Sequence, residues 1–223
     1  MSKKQFQKNN IYIFDLHGTL VKGNEDAMRV ILEQIAEERS IDVTIDKQKL
    51  VDLMGIPLED VITSFVSHAS PSDIDEMTAR FRELSDEITP NYLVLLEGAK
   101  ETLVELRSRG NRIAVVTSTN QKMAGKMVKW ISLENLVDEV IGMPVKEDAV
   151  TFKTRSIERL RQKYDCQKVY MIGDKAEDMK AGYRAGAVTI LLGLTETEQE
   201  YANLIIPDLR ALLNFCGQIA HDC

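Results

Sequence analysis

The sequence predicts an α/β protein: a doubly wound parallel sheet interrupted by an α-helical insertion. Three observations carry this. From Glu97 to Leu192, short apolar runs that end near Gly, Asp or Thr alternate with helix-period segments, as strands buried on both faces by crossover helices do. Several of those helical segments stop at glycine, as in Arg109-Gly110 and Ala185-Gly186, the residue that most readily takes a left-handed helix end. The stretch Lys22 to Leu96, by contrast, carries helix signals and no buried-strand pattern.

Taken in order, Ile11–Phe14 is the first strand, and Arg112–Thr117, Val137–Ile141, Lys168–Ile172, Ala187–Leu192 and Leu204–Ile206 follow. Helices are expected over Glu97–Arg109, Gln121–Trp130, Thr154–Tyr164 and Glu177–Ala185, giving right-handed crossovers and a Rossmann-like layered sheet. Within the insertion, Ala27, Val30, Ile31 and Ile35 share one helix face, and Met77, Phe81, Leu84 and Ile88 share another. Ser70 with Pro71 reads as an N-cap and first helical position. The expected organisation is a core of residues 1–21 and 97–223 with a helical cap of residues 22–96. Open parallel sheets bind ligands beyond the carboxyl ends of their strands, so an insertion after the first strand can serve as a lid.

The 223 residues suffice for one large domain, or a core with a smaller insertion. Hydrophobic residues make up 44% and charged residues 28%, near the globular average, which argues against disorder. No apolar run reaches the roughly 18–20 residues of a bilayer span, and MSKKQFQKNN has no apolar stretch of signal-peptide length. A cytoplasmic protein without membrane contact is expected. With 28 basic and 35 acidic residues the net charge is −7, which opposes a non-specific grip on nucleic acid and favours small solutes as partners. Cys166, Cys216 and Cys223 are scattered and odd in number, so reduced thiols are expected rather than a disulfide framework or zinc knot. No G-x-G-x-x-G follows a strand, which disfavours dinucleotide binding.

Four segments carry chemistry. The first strand delivers Asp15-Leu16-His17-Gly18-Thr19-Leu20 at its carboxyl end; Asp15 is either a functional carboxylate or the start of a turn that Gly18 completes with positive φ. The second core strand ends in Thr117-Ser118-Thr119-Asn120 before a helix. Hydroxyls and N–H groups there suit a phosphate, and equally an ordinary N-cap from Ser118 or Thr119. Lys153 opens a helix, where a cation opposes the dipole; it is either an anion partner or a solvated lysine. The strand Val169–Ile172 is followed by Gly173-Asp174-Lys175-Ala176-Glu177-Asp178, whose two aspartates straddle a strand-to-helix turn. Together, three carboxylates, a hydroxyl and a lysine at one sheet edge describe a Mg²⁺ site for phosphoryl transfer.

These residues resemble the motifs of the haloacid dehalogenase superfamily. Its DxDGT[LV] motif is matched by Asp15–Leu20 except at His17, its strand-end Thr or Ser by Thr117, its helix-start lysine by Lys153, and its GDxxxD by Gly173, Asp174 and Asp178. The resemblance spans almost the whole chain. It implies a helical cap inserted after the first motif, as in phosphoglycolate phosphatase and β-phosphoglucomutase. It implies Asp15 as nucleophile and Mg²⁺ ligand, Thr117 and Lys153 as phosphate-binding and positioning groups, Asp174 as a metal ligand and Asp178 as a ligand or its neighbour. Ser118 would join Thr117 at the phosphate. Met54-Gly55-Ile56-Pro57-Leu58 resembles the substrate-specificity loop, making Gly55 a candidate binding residue; a helix-to-helix turn packing its Ile and Leu is the alternative. The implied substrate is a small phosphate ester.

Position 17 departs from the motif. The family's phosphatases carry there an aspartate that protonates the leaving group and then activates water; its metal contact is through the backbone carbonyl, so His17 at this position need not cost Mg²⁺ binding. Three readings stay open. The imidazole, with a reference pKa of about 6.5, replaces the carboxylate as proton shuttle; the ring impairs turnover and leaves a binding protein; or the fold cleaves another bond. Against the last, dehalogenases dispense with Mg²⁺, and phosphonate-cleaving relatives use a cap lysine that 54–58 lacks, Lys47 and Lys49 being nearest. His68 and His221 have no assigned role, Lys22 and Lys175 flank the site without a motif position, and Trp130 is expected to pack in the core.

Overall fold

The computed structural model describes residues 10–53, 56–144, 147–193 and 199–218. The chain divides into two compact units, Lys22–Val94 and the remainder, Met1–Val21 with Leu95–Cys223.

The larger unit is built on a six-stranded sheet. Its strands are β1 (Asn10–Phe14), β4 (Arg112–Thr117), β5 (Glu139–Gly142), β6 (Lys168–Gly173), β7 (Val188–Leu192) and β8 (Leu204–Ile206), in the order β5-β4-β1-β6-β7-β8. Every neighbouring pair is parallel. Two short strands, β2 (Val21–Lys22) and β3 (Val94–Leu95), pair where the chain leaves and rejoins this unit, in a stretch where the sequence shows only helix signals.

The strands are apolar on both sides because helices cover both. On one face Ile11, Ile13, Ala114, Val116 and Met171 pack with Phe152, Ile157 and Leu160 of α7 (Ala149–Tyr164) and Ala181 of α8 (Ala176–Arg184). Strand alternation turns Tyr12, Phe14, Ile113, Val115 and Tyr170 to the other face, where Tyr12 and Tyr170 stack with centroids 4.5 Å apart. Each fully buried Val, Ile, Phe or Met among these contributes roughly 1.5–3 kcal/mol. The fold also includes α5 (Ala99–Ser108) and α9 (Leu209–Gln218), tied by a bond from the Thr102 hydroxyl to the Leu209 carbonyl at 3.0 Å, and α6 (Gln121–Trp130).

The expected boundaries shift in two places that matter. Helix α7 begins at Ala149, not Thr154, because Asp148 caps it by accepting the Thr151 N–H at 2.8 Å. Lys153 therefore lies in the second turn, and the helix-dipole argument for it does not apply. The cap of α6 is Asn120, which accepts the Met123 N–H at 3.0 Å, rather than Ser118 or Thr119. Trp130, at the end of α6, is half-buried, while the adjacent Ile131 and Leu133 are core residues.

The second unit holds α1 (Asn24–Glu38), α2 (Lys47–Asp52), α3 (Leu58–Phe65) and α4 (Pro71–Tyr92). Its core joins Ile31 and Ile35 to Leu50, Val61, Ile62, Met77, Phe81 and Leu84, with Ile88 at the margin. Ser70 starts α4 with a capping box: its hydroxyl accepts the Asp73 N–H at 3.2 Å while the Asp73 carboxylate accepts the Ser70 N–H at 3.0 Å. Among the described residues, no helix is long and apolar enough to cross a membrane.

Candidate active site

Strand β1 lies between β4 and β6, so the chain runs to one side of it first and the other side later. This is a topological switch point, where the loops leaving neighbouring strands part and open a crevice. Asp15, Thr117 and Asp174 sit at the carboxyl ends of these three adjacent strands.

Asp15 is buried, and its N–H donates to the Ile172 carbonyl at 2.9 Å, extending the β1–β6 ladder one residue. The chain then turns sharply. Buried Leu16 and Leu20 anchor the turn, the Gly18 N–H donates to the Val21 carbonyl, and Gly18 takes a φ of 78°. A Cβ on Gly18 would stand 2.1 Å from Asp174 Oδ2, so only glycine lets the Asp174 carboxylate approach. Buried Thr19 donates its hydroxyl to Asp174 Oδ1 at 3.0 Å. His17 is half-buried in the same turn and bridges to Val21.

From β6, Gly173 lets α8 come close, since a Cβ there would lie 2.3 Å from Asp178 Oδ2. Asp178 is fully buried and accepts the Lys175 N–H at 3.3 Å. The carboxylates of Asp15, Asp174 and Asp178 offer oxygens within 4.8 Å of one another. Lys153 reaches in from α7, fully buried, with its ammonium 3.2 Å from Asp15, 2.9 Å from Glu177 and 2.6 Å from Asp178. Thr117 is buried, and its hydroxyl accepts the Thr119 N–H at 3.3 Å. Ser118 joins the cluster through Glu177, donating to Oε1 at 3.3 Å.

The electrostatics are those of a crowded acidic pocket held by one lysine. Burial alone would lower the Lys153 pKa, but the carboxylates of Asp15, Asp178 and Glu177 outweigh it and hold the ammonium well above its ordinary value. Burial, aided by the neighbouring Asp15 charge, pushes Asp174 up to about 6. Burial also raises Asp178 against the pull of Lys153. Burial acts upward on Glu177 as well, yet Lys153 wins and its pKa is lowered. Such a site fits a small divalent cation. The donors are hard carboxylate oxygens, the ligand type Mg²⁺ takes, and they lie within 4.8 Å of one another.

The structure thus brings Asp15, Lys153, Asp174 and Asp178 together, with Ser118 one contact away, while the Thr117 hydroxyl contacts its own loop. Gly55 lies outside the described residues; of its loop, Ile56 is exposed and Leu58 packs on the core of the helical unit. His68 is exposed, His221 and Cys223 fall outside the described residues, Cys216 falls in α9, and Cys166 is a buried free thiol. Sequence reasoning missed Thr19, Lys175 and Glu177 as site residues. Thr19 lies inside the Asp15–Leu20 motif, and Glu177 stands in the first turn of α8 next to Asp178, which is the signal the sequence offers for it.

Fold and cluster define an α/β protein with an acidic, lysine-anchored site at the switch point of a parallel sheet. A model of the haloacid dehalogenase-like hydrolase family matches residues 12–192, and the chain belongs to that family. It is 26% identical over 201 residues to pyrophosphatase PpaX of Halalkalibacterium halodurans, covering 89% of this chain and 90% of that one. It is 27% identical over 221 residues to phosphonoacetaldehyde hydrolase of Bacillus cereus, covering 89% and 83%. Among solved structures, a predicted phosphoglycolate phosphatase from Haemophilus somnus superposes with a TM-score of 0.76 at 19% identity, covering 95% of this chain and 99% of that one; this likeness is one of fold.

Proposed function

We propose that the protein is a Mg²⁺-dependent phosphatase of small phosphomonoesters, with Asp15 as nucleophile. The observation that carries this is the convergence of Asp15, Asp174 and Asp178 around the buried ammonium of Lys153. Asp15, Asp174, Asp178 and the backbone carbonyl of His17 would hold Mg²⁺, which when bound neutralises charge on the phosphoryl oxygens.

An Asp15 carboxylate oxygen forms a bond to phosphorus as the bond to the ester oxygen breaks, giving an aspartyl phosphate and an alcohol. His17 gives its proton to the departing oxygen, then takes one from the water that attacks phosphorus and regenerates Asp15. Lys153 orients Asp15 and, with Thr117 and Ser118, donates to phosphoryl oxygens. The helical unit is assigned the role of cap and substrate selector on the family resemblance, and the location is proposed as cytoplasmic.

Carbon–phosphorus cleavage through a lysine Schiff base is less well supported, although phosphonoacetaldehyde hydrolase is among the relatives. Such chemistry needs a neutral amine. The Lys47 ammonium instead lies 2.8 Å from Asp26, which raises its pKa, and Lys49 donates to the Ser64 carbonyl over the Phe65 ring.

Hydrolysis of p-nitrophenyl phosphate tests the proposal. Activity that requires Mg²⁺ and vanishes in Asp15→Asn is expected; unchanged activity in that variant would overturn it. Phosphate-ester binding without turnover, with turnover appearing in His17→Asp, would instead indicate a binding protein disabled at position 17.

A further inference from the structure

The ammonium of Lys153 has three N–H donors, and three carboxylates already meet it: Asp178 at 2.6 Å, Glu177 at 2.9 Å and Asp15 at 3.2 Å. No donor is left over for a phosphoryl oxygen. Two of the partners are sealed in, the Asp178 side chain being 0% and the Asp15 side chain 7% exposed, whereas Glu177 is 32% exposed. Glu177 also takes the Ser118 hydroxyl at 3.3 Å. One carboxylate on the first turn of α8 therefore occupies both of the groups, Lys153 and Ser118, that the proposed function gives to the phosphate.

We infer that Glu177 sets the affinity of this site by competing with the incoming phosphoryl group for Lys153 and Ser118, and swings toward solvent when phosphate binds. This rests on the phosphate-site reading above. Glu177 is the partner free to leave, because its release exposes a carboxylate already in part hydrated, while release of Asp15 or Asp178 would strand a buried charge. The anion that replaces it must carry oxygens able to accept from both groups at once, which a tetrahedral phosphate does and a planar monocarboxylate does less well.

Calorimetric titration of inorganic phosphate in the presence of Mg²⁺ separates competition from support, because the two predict opposite signs. If Glu177 competes, Glu177→Ala binds phosphate roughly tenfold more tightly than the parent, the scale of losing one charge-assisted hydrogen bond. Glu177→Gln falls between, since its amide oxygen still accepts from Lys153 without a charge. With p-nitrophenyl phosphate, KM should fall by a larger factor than kcat changes. Equal or weaker phosphate binding in Glu177→Ala would overturn the inference and make Glu177 a support for Lys153. Should Glu177→Ala fail to fold by circular dichroism, the isosteric Glu177→Gln decides by the same sign. Absence of phosphate binding in the parent and both variants would overturn the phosphate-site reading itself, an outcome distinct from equal binding in all three.

Discussion

Replacing Lys153 with methionine keeps much of the side-chain volume and removes the cation that meets Asp15, Glu177 and Asp178. The contact to Glu177, a third exposed, is worth about 1 kcal/mol or less. The contacts to Asp15 and Asp178 are desolvated, and removing one partner of a buried pair costs about 3–5 kcal/mol because the other charge is stranded. A loss of about 3–5 kcal/mol at pH 8 is therefore expected in metal-free protein, a large share of the roughly 5–15 kcal/mol typical of a domain. The deficit should shrink on acidification. Without the ammonium, burial holds the Asp178 pKa still further above its unfolded value, so the protonated folded form is favoured at low pH, and that support is lost as pH rises through the raised value. Lys153→Met with Asp178→Asn should recover a substantial part of the loss, since a missing pair is tolerated better than a broken one. Urea unfolding followed by circular dichroism at pH 5 and pH 8 measures all three. A deficit below about 1 kcal/mol, or one equal at both pH values, would refute this account of the cluster.

Three other outcomes follow from the same geometry. Gly18→Ala places a non-glycine residue at a φ of 78° with its Cβ 2.1 Å from Asp174, so a stability loss of about 1–2 kcal/mol and a clear weakening of Mg²⁺ binding by calorimetry are expected. Asp174, raised to about 6 from 3.8, favours the folded state below about pH 4 and withdraws that support as pH rises to about 6; metal-free parent should lose about 2 kcal/mol relative to Asp174→Asn between pH 4 and pH 7, as urea titrations will show, and saturating Mg²⁺ should offset it in the parent alone. If His17 is the shuttle, the pH–rate profile has a limb near the ordinary histidine pKa of about 6.5, and His17→Asp moves it; an identical profile in the variant would remove His17 from proton transfer.

The sheet was legible because its strands obey one rule along their whole length: Ile11–Phe14 and Lys168–Ile172 are apolar at every position but the first of the second run, as two covered faces require. The inserted unit was legible from spacing, and the Ser70-Pro71 start was legible because its cap is local. Boundaries were less so where a polar residue that caps one helix reads like a loop residue from the next. Asp148 reads as a loop residue, so the sequence pattern places the start of α7 five residues late and puts Lys153 at a helix opening.

The site was legible where a residue hangs from a strand end, since register carries Asp15, Thr117 and Asp174 to one edge. It was opaque where contact depends on how two helices meet. That Glu177 rather than solvent meets Lys153 follows from how α7 packs beside α8, whose first turn sits close to β6 because Gly173 lacks a Cβ. The partner of the Thr117 hydroxyl is likewise a matter of loop shape that spacing does not encode.

The covalent step at Asp15 is the claim on which the rest depends, and borohydride trapping during turnover with Mg²⁺ reads it directly. An acyl phosphate on that side chain is reduced to homoserine, which peptide mass spectrometry locates. The account predicts the reduced residue at position 15, dependent on both substrate and Mg²⁺ and absent from Asp15→Asn. Turnover at full rate with an unmodified Asp15, or reduction at a different carboxylate, would contradict it.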